Sequence, residues 1–473
     1  MNLLRAATLA LAALAALPAL GAEPADDISI ERPNIVFLLT DDQRWDTLGA
    51  AGNPIVRTPN LDRLAATGVL FRNNFDTTPV CYASRATLLT GQFNRRHHVD
   101  SFEDTLSPEA LRRTYPILLR QAGYFTGFIG KWGLGGELPT EHFDRWLGFA
   151  GQGNYFEPGD PRHLTRRQGK QAVDFVQTAR EPFALTVAFK APHVQDGGCS
   201  CTLPTDPIDE ALYRDVTIPL PATATDQDFV KLPRFLRESE GRVRWFDQLA
   251  TPEATQEWWK DYYRLITGVD REVGRIVAAL ERRGIRGRTL IVFTSDNGLL
   301  IGEHGLTGKW LMFEESIRTP LVISWPGLPA ARRGAVERRV ALNVDLAPTL
   351  LDAAGLATPA EMQGHSLRPL VFGQTVDPAA PWRTDWFFEH QLVWQRIPQS
   401  EGVRTERFKY VRYTDRANGS QNDYEQLFDL ATDPLERHDI LRTASIYQQD
   451  PAFFARVLRD LRTRWRELRL ELE

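Results

Sequence analysis

Several apolar segments of this sequence end in polar residues of the types that bind cations or anions. These residues are Asp41 and Asp42 after IVFLLT, Lys131 after FTGFIG, His193 after FALTVAFKAP, and Asp296 and Asn297 after LIVFTS. Because the carboxyl ends of parallel strands meet at one edge of a sheet, and ligands bind beyond that edge, we expect these side chains to lie close together. The pattern predicts three carboxylates, an amide, a lysine and an imidazole in one site.

The three carboxylates of this set favour a bound cation. Carboxylates crowded into one pocket repel each other and resist ionisation unless a positive ion neutralises them. A single Asp after a strand is more commonly a helix cap or turn residue. The pair Asp41-Asp42 together with the distant Asp296-Asn297-Gly298 nevertheless favours a metal site. Oxygen ligands suit Ca²⁺, or Mg²⁺, better than zinc, which prefers His and Cys.

The segment TTPVCYASRATLLTG, from Thr77 to Gly91, is typical of a loop that enters a helix. Cys81 would then lie at the helix N-terminus, where backbone N–H groups favour an anion. Arg85 would lie on the same helix face and could bind a tetrahedral oxyanion. The alternative, which describes most isolated C-x-x-x-R matches, is a buried structural Cys beside a surface Arg.

The chain has only three cysteines, so no disulfide framework stabilises it. Cys199 and Cys201 either pair locally or stay free, and the sequence leaves this open. Cys81 has no evident partner. Because an unpaired thiol is vulnerable in an oxidising compartment, Cys81 needs a chemical explanation.

Strands alternate with helices through most of the chain. Buried strands are predicted at residues 35–39, 125–129, 183–189, 290–293 and 321–323, and helices at 61–66, 117–122 and 269–282. This alternation is typical of an α/β fold with a large, mostly parallel or mixed central sheet flanked by helices. The Pro- and charge-rich residues 199–258 indicate a long surface insertion that is partly helical.

The pattern changes after Gly373. Short strands are predicted at residues 386–388, 402–403, 410–413 and 426–430, and a final helix carries Phe454, Leu461 and Trp465 on one face. We therefore predict a signal peptide at 1–22, an α/β catalytic domain at 30–373, and a C-terminal subdomain at 374–473. The subdomain would contain a small antiparallel sheet and a terminal helix.

Composition and charge narrow the classes of function. With 473 residues, 42% hydrophobic content, 12 Trp and 25 Phe, the chain can fill a substantial core, which argues against disorder. The net charge of −5 and the lack of a basic block argue against binding to nucleic acid. The segment MNLLRAATLALAALAALPALGAEP resembles a secretory signal cut near Ala22. Since no later stretch of ~18 apolar residues occurs, we expect an exported protein, periplasmic or extracellular, with no membrane partner.

The chain resembles the type I sulfatases of the alkaline-phosphatase superfamily over nearly its whole mature length. The matching motifs are PNIVFLLTDDQRWDTLG, TPNLDRLAATGVLFRNNF, CYASRATLLTGQ, GKWGLG, KAPH, TSDNG, GEHGLTGKW and VRTERFKYVRY. The resemblance implies that a maturation enzyme oxidises Cys81 to formylglycine, an aldehyde that is hydrated as a gem-diol. It also implies hydrolysis of a sulfate ester carried by a small molecule or an oligosaccharide.

The resemblance also implies roles for individual residues. The implied ligands of one divalent cation, usually Ca²⁺, are Asp41, Asp42, Asp296, Asn297 and the modified Cys81. Arg85 would hold the modified side chain, and the implied residues facing the sulfate are Lys131, His193 and Lys309. The cation would acidify one diol hydroxyl for attack on sulfur, the lysines would balance charge, and His193 would protonate the departing alcohol. The second hydroxyl would let the sulfated intermediate expel sulfate.

Two residues depart from the family pattern. Ala83 stands where the maturation motif usually has Pro, a variant that some maturation systems tolerate. Gly133 stands where the family has a histidine that contacts the formylglycine hydroxyl and assists sulfate release. We expect another base or a water molecule to substitute, with slower turnover. Pre-steady-state kinetics without accumulated sulfated enzyme would contradict slow release.

Four further histidines are weaker candidates. His304, in GEHG, could contact the leaving group of the substrate, although a surface-loop histidine explains it equally well. His97 and His98 follow the nucleophile helix and either line the pocket or belong to a solvated turn. His390 lies where the small domain of relatives leans over the site.

Two other functions remain open from the sequence. A phosphonate or phosphate-ester hydrolase could use the same formylglycine, because sulfate and phosphate are both tetrahedral. Gly133 and Ala83 suggest a non-catalytic protein that binds sulfated glycans, although the metal positions and Lys131, His193 and Lys309 are intact. Parallel assays on sulfate and phosphonate esters, and mass spectrometry of the Cys81 peptide, discriminate among these functions.

Overall fold

The computed structural model describes residues 32–196, 202–375, 381–391, 396–414 and 423–472. The predicted signal peptide, Cys199 and Cys201 lie outside these residues. The strands are β1 (Asn34–Thr40), β2 (Val69–Phe71), β3 (Asn74–Phe75), β4 (Phe125–Lys131), β5 (Arg145–Phe149), β6 (Phe183–Ala188), β7 (Thr289–Ser295), β8 (Leu300–Ile301), β9 (Thr307–Gly308), β10 (Leu321–Ser324), β11 (Ala335–Glu337), β12 (Ala341–Leu342), β13 (Asp385–His390), β14 (Gln399–Thr405), β15 (Phe408–Thr414) and β16 (Asp423–Asp429). The helices are α1 (Pro59–Thr67), α2 (Cys81–Thr90), α3 (Asn94–His97), α4 (Pro108–Arg112), α5 (Tyr115–Gln121), α6 (Leu164–Thr178), α7 (Asp226–Lys231), α8 (Arg234–Arg237), α9 (Glu240–Leu249), α10 (Pro252–Arg282), α11 (Glu314–Ile317), α12 (Leu346–Ala353), α13 (Arg368–Phe372), α14 (Ala444–Tyr447) and α15 (Pro451–Glu471). Within the described ranges, no helix combines the length and the apolar character needed to cross a bilayer.

Eight strands form the central sheet, in the order β11-β2-β10-β7-β1-β6-β4-β5. Strands β7, β1, β6, β4 and β5 are parallel, whereas β10 runs antiparallel to both of its neighbours. Along β1, Val36 and Leu38 pack into one hydrophobic core, while Ile35, Phe37 and Leu39 pack into another. This division arises because successive side chains of a strand point to opposite faces. Helices α1, α6 and α10 contribute to the first core and α2, α5 and α12 to the second, which confirms the predicted α/β fold.

The helices and strands agree closely with the sequence pattern, except in the insertion. The five predicted buried strands are found as β1, β4, β6, β7 and β10, with ends that differ by at most two residues. The stretch at 199–258 was expected to be a surface insertion, and its described part contains α7, α8 and α9. That expectation is wrong for its last residues. Trp258 already belongs to the 31-residue helix α10 and is buried in the first core.

The C-terminal strands β13, β14, β15 and β16 form a separate antiparallel sheet in that order. Helix α15 packs on it through Phe454, Leu461 and Trp465, as its apolar face predicted. The sheet also contacts the segment before Cys81, because the rings of Trp386 and Phe75 pack together with centroids 5.2 Å apart. The backbone N–H of Glu389 donates to the carbonyl of Thr77 at 3.1 Å. The C-terminal sheet therefore supports the loop that leads into α2; the domain boundaries themselves stay a prediction.

Candidate active site

Asp41 and Asp42 follow β1 directly and are both buried. The backbone turns sharply here, since Asp42 has a left-handed φ of 65°. The backbone N–H of Asp42 donates to Asp296 Oδ1 at 3.2 Å, and the Tyr262 hydroxyl donates to the Asp42 carbonyl at 2.6 Å. Burial alone would raise the pKa of Asp41, but the neighbouring Lys131, His193, Arg85 and Lys309 together hold it well below its usual range.

Asp296 and Asn297 follow β7, the neighbour of β1 in the sheet. Burial, and then the charge of Asp41, raise the pKa of Asp296 to about 6. The side-chain N–H₂ of Asn297 donates to Asp42 Oδ1 at 2.6 Å, whereas its own Oδ1 accepts no hydrogen bond from any described residue although it is fully buried. A buried acceptor without a donor costs free energy, and this oxygen therefore suits a cation.

Cys81 is the first residue of α2, with Val80 as the N-cap, and is only 1% exposed. Its Sγ lies 3.3 Å from Asp41 Oδ1 and 2.9 Å from Lys309 Nζ. Burial, followed by the charge of Asp41, raises the pKa of the Cys81 thiol to about 12. Since the thiolate is the nucleophilic form of cysteine, the unmodified side chain is a poor nucleophile in this pocket at neutral pH.

Arg85 lies one helical turn after Cys81 and joins three strand ends. Its Nε donates to Asp296 Oδ2 at 2.8 Å, its Nη1 to the Lys131 carbonyl at 2.6 Å, and its Nη2 to Asp41 Oδ2 at 3.1 Å. Three of its five N–H groups are thus engaged by the two carboxylates and the carbonyl that the sheet places around it, so Arg85 organises the site. Binding of a substrate oxyanion by Arg85 stays a prediction.

Two lysines and a histidine complete the site. Lys131 Nζ donates to Asp41 Oδ2 at 2.5 Å, and Lys309 Nζ pairs with Asp42 Oδ1. His193 Nδ1 lies 2.8 Å from the Val194 carbonyl, which leaves Nε2 facing Asp42 Oδ2 at 3.7 Å. Burial lowers the pKa of His193 to about 3, against the raising effect of the two aspartates. The imidazole of His193 is therefore neutral at neutral pH in this pocket, although two carboxylates lie nearby.

The donors fit one divalent cation. Ligand atoms of Asp41, Asp42, Cys81 and His193 all lie within 4.8 Å of one another. Asp296 and Asn297 adjoin this group through their bonds to Asp42, and Asn297 adds a carbonyl oxygen that lacks a donor. Carboxylate and amide oxygens are the ligands that Ca²⁺ and Mg²⁺ prefer.

A cavity of about 330 Å³ opens over these residues. The sequence-predicted residues that line it are Cys81, Lys131, His193 and Lys309, together with Gly133. The lining residues that sequence reasoning missed are Val80, Phe102, Gly135, Gly151, Gln152, Asp196, Arg244 and Trp310. Gln152 accepts a hydrogen bond from Lys131 Nζ at 2.6 Å. It belongs to a Gly-Gln-Gly loop after β5, and this loop is the one sequence feature that could have indicated Gln152. Arg244 comes from α9 in the insertion, where no strand end marks it.

Gly133 occupies the position of the absent family histidine in a conformation that suits glycine. Its φ is +80°, and a Cβ added there would lie 2.6 Å from Cδ and 3.2 Å from Nε of Arg85. No side chain can be added at Gly133 without displacing Arg85. Residue 133 therefore cannot supply the base that was expected to replace the family histidine. Among the described residues, His193 is the one histidine that lines the cavity.

The other candidate histidines lie away from this cavity. The predicted substrate contact His304 is buried with its ring stacked on Phe313 at 4.5 Å, and it is not among the lining residues. His97 lies 3.1 Å from the Thr87 hydroxyl and accepts from the Val99 N–H, while His98 caps the end of α3. His390 is buried in β13, and neither of its ring nitrogens has a partner within the described residues.

Comparison with known proteins gives consistent matches along the chain. A family model described as "Sulfatase" matches residues 33–356, and one described as "N-sulphoglucosamine sulphohydrolase, C-terminal" matches residues 302–464. An N-acetylglucosamine-6-O-sulfatase of Bacteroides thetaiotaomicron is 30% identical, over 88% of this chain and 83% of its own length.

Solved structures share the fold. One, described as a complex with its substrate D-glucosamine-2-N,6-O-disulfate, has a TM-score of 0.76 and 27% identity, and the match covers 92% of this chain and 99% of that chain. A phosphonate monoester hydrolase of Agrobacterium radiobacter has a TM-score of 0.73 and 24% identity, covering 92% and 96%, a likeness that shows the fold alone. The "Sulfatase" family model spans most of the chain. The N-acetylglucosamine-6-O-sulfatase is 30% identical over 88% of the chain. The chain therefore belongs to the type I sulfatase family of the alkaline-phosphatase superfamily and is a sulfuric ester hydrolase.

Proposed function

We propose that this sulfatase hydrolyses a sulfate monoester on a carbohydrate, with a formylglycine made from Cys81 as its nucleophile and one divalent cation as its cofactor. The observation that carries the proposal is the position of Cys81 Sγ, 2.9 Å from Lys309 Nζ and 3.3 Å from Asp41 at the floor of the cavity. A thiol whose pKa is about 12 does not explain catalysis by itself, and this supports chemical conversion of the residue.

The cation would be held by Asp41, Asp42, Asp296 and Asn297 together with the oxygen of the modified residue 81. Ca²⁺ is the preferred ion and Mg²⁺ the alternative, since the donors are carboxylate and amide oxygens. When both are present, the cation would neutralise the carboxylates and polarise the sulfate, and formylglycine would supply a hydroxyl nucleophile from its hydrated aldehyde.

The residues of the chain would act on the sulfate as follows. Lys131 and Lys309 line the cavity together with Cys81 and would bind the sulfate oxygens on which charge grows. His193 would hold a proton at Nε2 for the leaving oxygen, because the negative sulfate favours the protonated imidazole. Arg85 would keep Asp41 and Asp296 in place. Nothing in this scheme requires a side chain at Gly133.

The carbohydrate part of the proposal rests on the relatives and on the cavity. The Bacteroides relative is named for sulfate on N-acetylglucosamine, and the solved structure holds a disulfated glucosamine. A cavity of about 330 Å³ with Phe102 and Trp310 in its wall suits a sugar ring. We also propose export from the cytoplasm, which the N-terminal segment supports.

Two experiments test the proposal. Mass spectrometry of the peptide that contains Cys81, from protein made in its native host, should give the lower mass of formylglycine; a mass of unmodified cysteine would favour a protein that binds sulfated glycans without catalysis. Side-by-side assays on a sulfated glucosamine and on a phosphonate monoester should show faster release of sulfate. Faster cleavage of the phosphonate would overturn the substrate assignment and would favour the phosphonate hydrolase.

A further inference from the structure

Arg244 lies in the wall of the active-site cavity. Unlike the residues of the cavity floor, it does not come from the end of a strand of the central sheet. It projects from α9, in the insertion, and lines the same cavity as Cys81, Lys131 and Lys309. It is a third cation in the cavity wall, and the scheme proposed for the scissile sulfate does not use it. Its position raises the question of which substrate group it faces.

The guanidinium of Arg244 is held in place from two sides. Its Nε donates to Glu240 Oε1 at 2.9 Å, one turn earlier on α9, and its Cζ lies over the ring of Trp310, 4.8 Å from the ring centroid. Trp310 directly follows Lys309, and the backbone N–H of Trp310 donates to the Pro79 carbonyl at 3.2 Å. The orientation of Arg244 is therefore coupled to the segment before Cys81 and to Lys309.

These contacts leave the two Nη groups of Arg244 without a hydrogen-bond partner among the residues that the structure describes. The side chain is 23% exposed, so this edge faces the cavity and solvent. A fixed guanidinium with two free N–H₂ groups matches the paired oxygens of a carboxylate or sulfate. A hydroxyl would satisfy only one of its donors.

The positions of the cations in the cavity distinguish Arg244 from the two lysines. Lys131 is paired with Asp41 and Lys309 with Asp42, beside the nucleophile, where the scissile sulfate must bind. The acidic residue Asp196 lies on the His193 side, 3.9 Å from its Nδ1. Arg244 therefore offers a separate anion-binding position in the wall.

We propose that Arg244 is a specificity-determining residue that binds a second anionic group, a carboxylate or another sulfate, on the sugar that carries the scissile sulfate. The inference rests on the proposed function and makes the preferred substrate a dianion or polyanion. Charge-assisted hydrogen bonds of this kind are worth roughly 10- to 100-fold in binding. Their loss should raise KM more than it lowers kcat, because the second anion lies away from the reacting bond.

The test compares glucosamine carrying sulfate at N2 and O6 with N-acetylglucosamine 6-sulfate, which has a single anion. Wild-type enzyme should prefer the disulfated sugar in kcat/KM, and Arg244→Gln should reduce that preference by about tenfold or more, mainly through KM. Arg244→Lys, which keeps the charge but not the planar fork, should retain an intermediate preference. Arg234→Gln is the matched control, because Arg234 forms the same i,i+4 pair with Glu238 but is 81% exposed on α8 and outside the cavity wall.

The outcomes separate this inference from the proposed function. If wild-type enzyme cleaves both sugars and Arg244→Gln leaves the ratio of their kcat/KM values unchanged, the inference is wrong and the sulfatase activity stands. If wild-type enzyme cleaves neither sugar yet cleaves a phosphonate ester, the proposed function fails as well. Binding of the two sugars to the Cys81→Ala variant, measured by calorimetry, provides the same ratio without turnover.

Discussion

Replacing Gly133 with alanine tests whether Arg85 occupies the space that a side chain at position 133 would need. The φ of +80° costs an L-residue about 1–2 kcal/mol. The new Cβ would also lie 2.6 Å from Cδ of Arg85, which is buried and held by three acceptors and so has little freedom to move. Overpacking of this kind costs about 1–3 kcal/mol. We therefore expect Gly133→Ala to lower the free energy of unfolding by about 2–5 kcal/mol.

Gly284→Ala is the matched control for this variant. Gly284 has a similar φ of +70°, but nothing lies within 4 Å of an added Cβ, so only the backbone cost applies. Urea unfolding of both variants should show Gly133→Ala to be less stable than Gly284→Ala by about 1–3 kcal/mol. Equal free energies of unfolding would refute the argument from occupied space.

The same substitution should reduce activity because Arg85 organises the carboxylates. A displacement of catalytic groups by about 1 Å can cost on the order of 100-fold in rate, so kcat of Gly133→Ala should fall at least tenfold while that of Gly284→Ala should not change. Gly133→His adds the same Cβ, and we expect it to lose activity also. Faster sulfate release by Gly133→His would show that the site can accept the family histidine.

Three other predictions concern charge and metal. Lys309→Met should lower kcat/KM on an aryl sulfate by about 100-fold or more, whereas Lys170→Met, whose residue is 57% exposed, should not; equal losses would contradict the role of Lys309. Ca²⁺ at about 1,000 times its Kd should stabilise the protein by about 4 kcal/mol, and calorimetry should find this effect absent in Asn297→Leu. Burial raises the pKa of Glu436 to about 7, against the lowering effect of Lys409. Because the folded protein favours the protonated carboxyl, Glu436 contributes its full stabilisation below pH 4.5, and this contribution is lost as the pH rises through 7. Urea unfolding should therefore show Glu436→Gln gaining stability relative to wild type between pH 4.5 and 8, and a difference independent of pH would contradict this.

The sequence predicted the floor of the site well because strand ends are strongly constrained. Seven buried residues of β1 and seven of β7 pair in register, so Asp41, Asp42 and Asp296 arrive at one edge whatever the loops do. Lys131 is the last residue of β4 and His193 follows β6, so both reach the same edge for the same reason. An apolar strand and the polar residue at its end are recognised from a few consecutive residues, so both can be predicted from the sequence alone.

The cavity wall could not be read in that way. Arg244 and Trp310 meet across the interface between an insertion and a loop, and no local pattern records that contact. The engagement of Arg85 by three acceptors depends on strands far apart in sequence, so it could not be predicted from the helix alone. Trp258 was misassigned because the charge of the surrounding insertion concealed the apolar face of α10.

The depth of Cys81 has a consequence for how the enzyme is made. All ten residues of α2 are buried, and the segment before it lies against β13, which is synthesised much later. If Cys81 is converted to formylglycine, as proposed, the converting enzyme needs access to a thiol that is only 1% exposed in the folded chain. Conversion would then have to precede the folding of this segment, and a molecule that folds first would keep an unmodified cysteine.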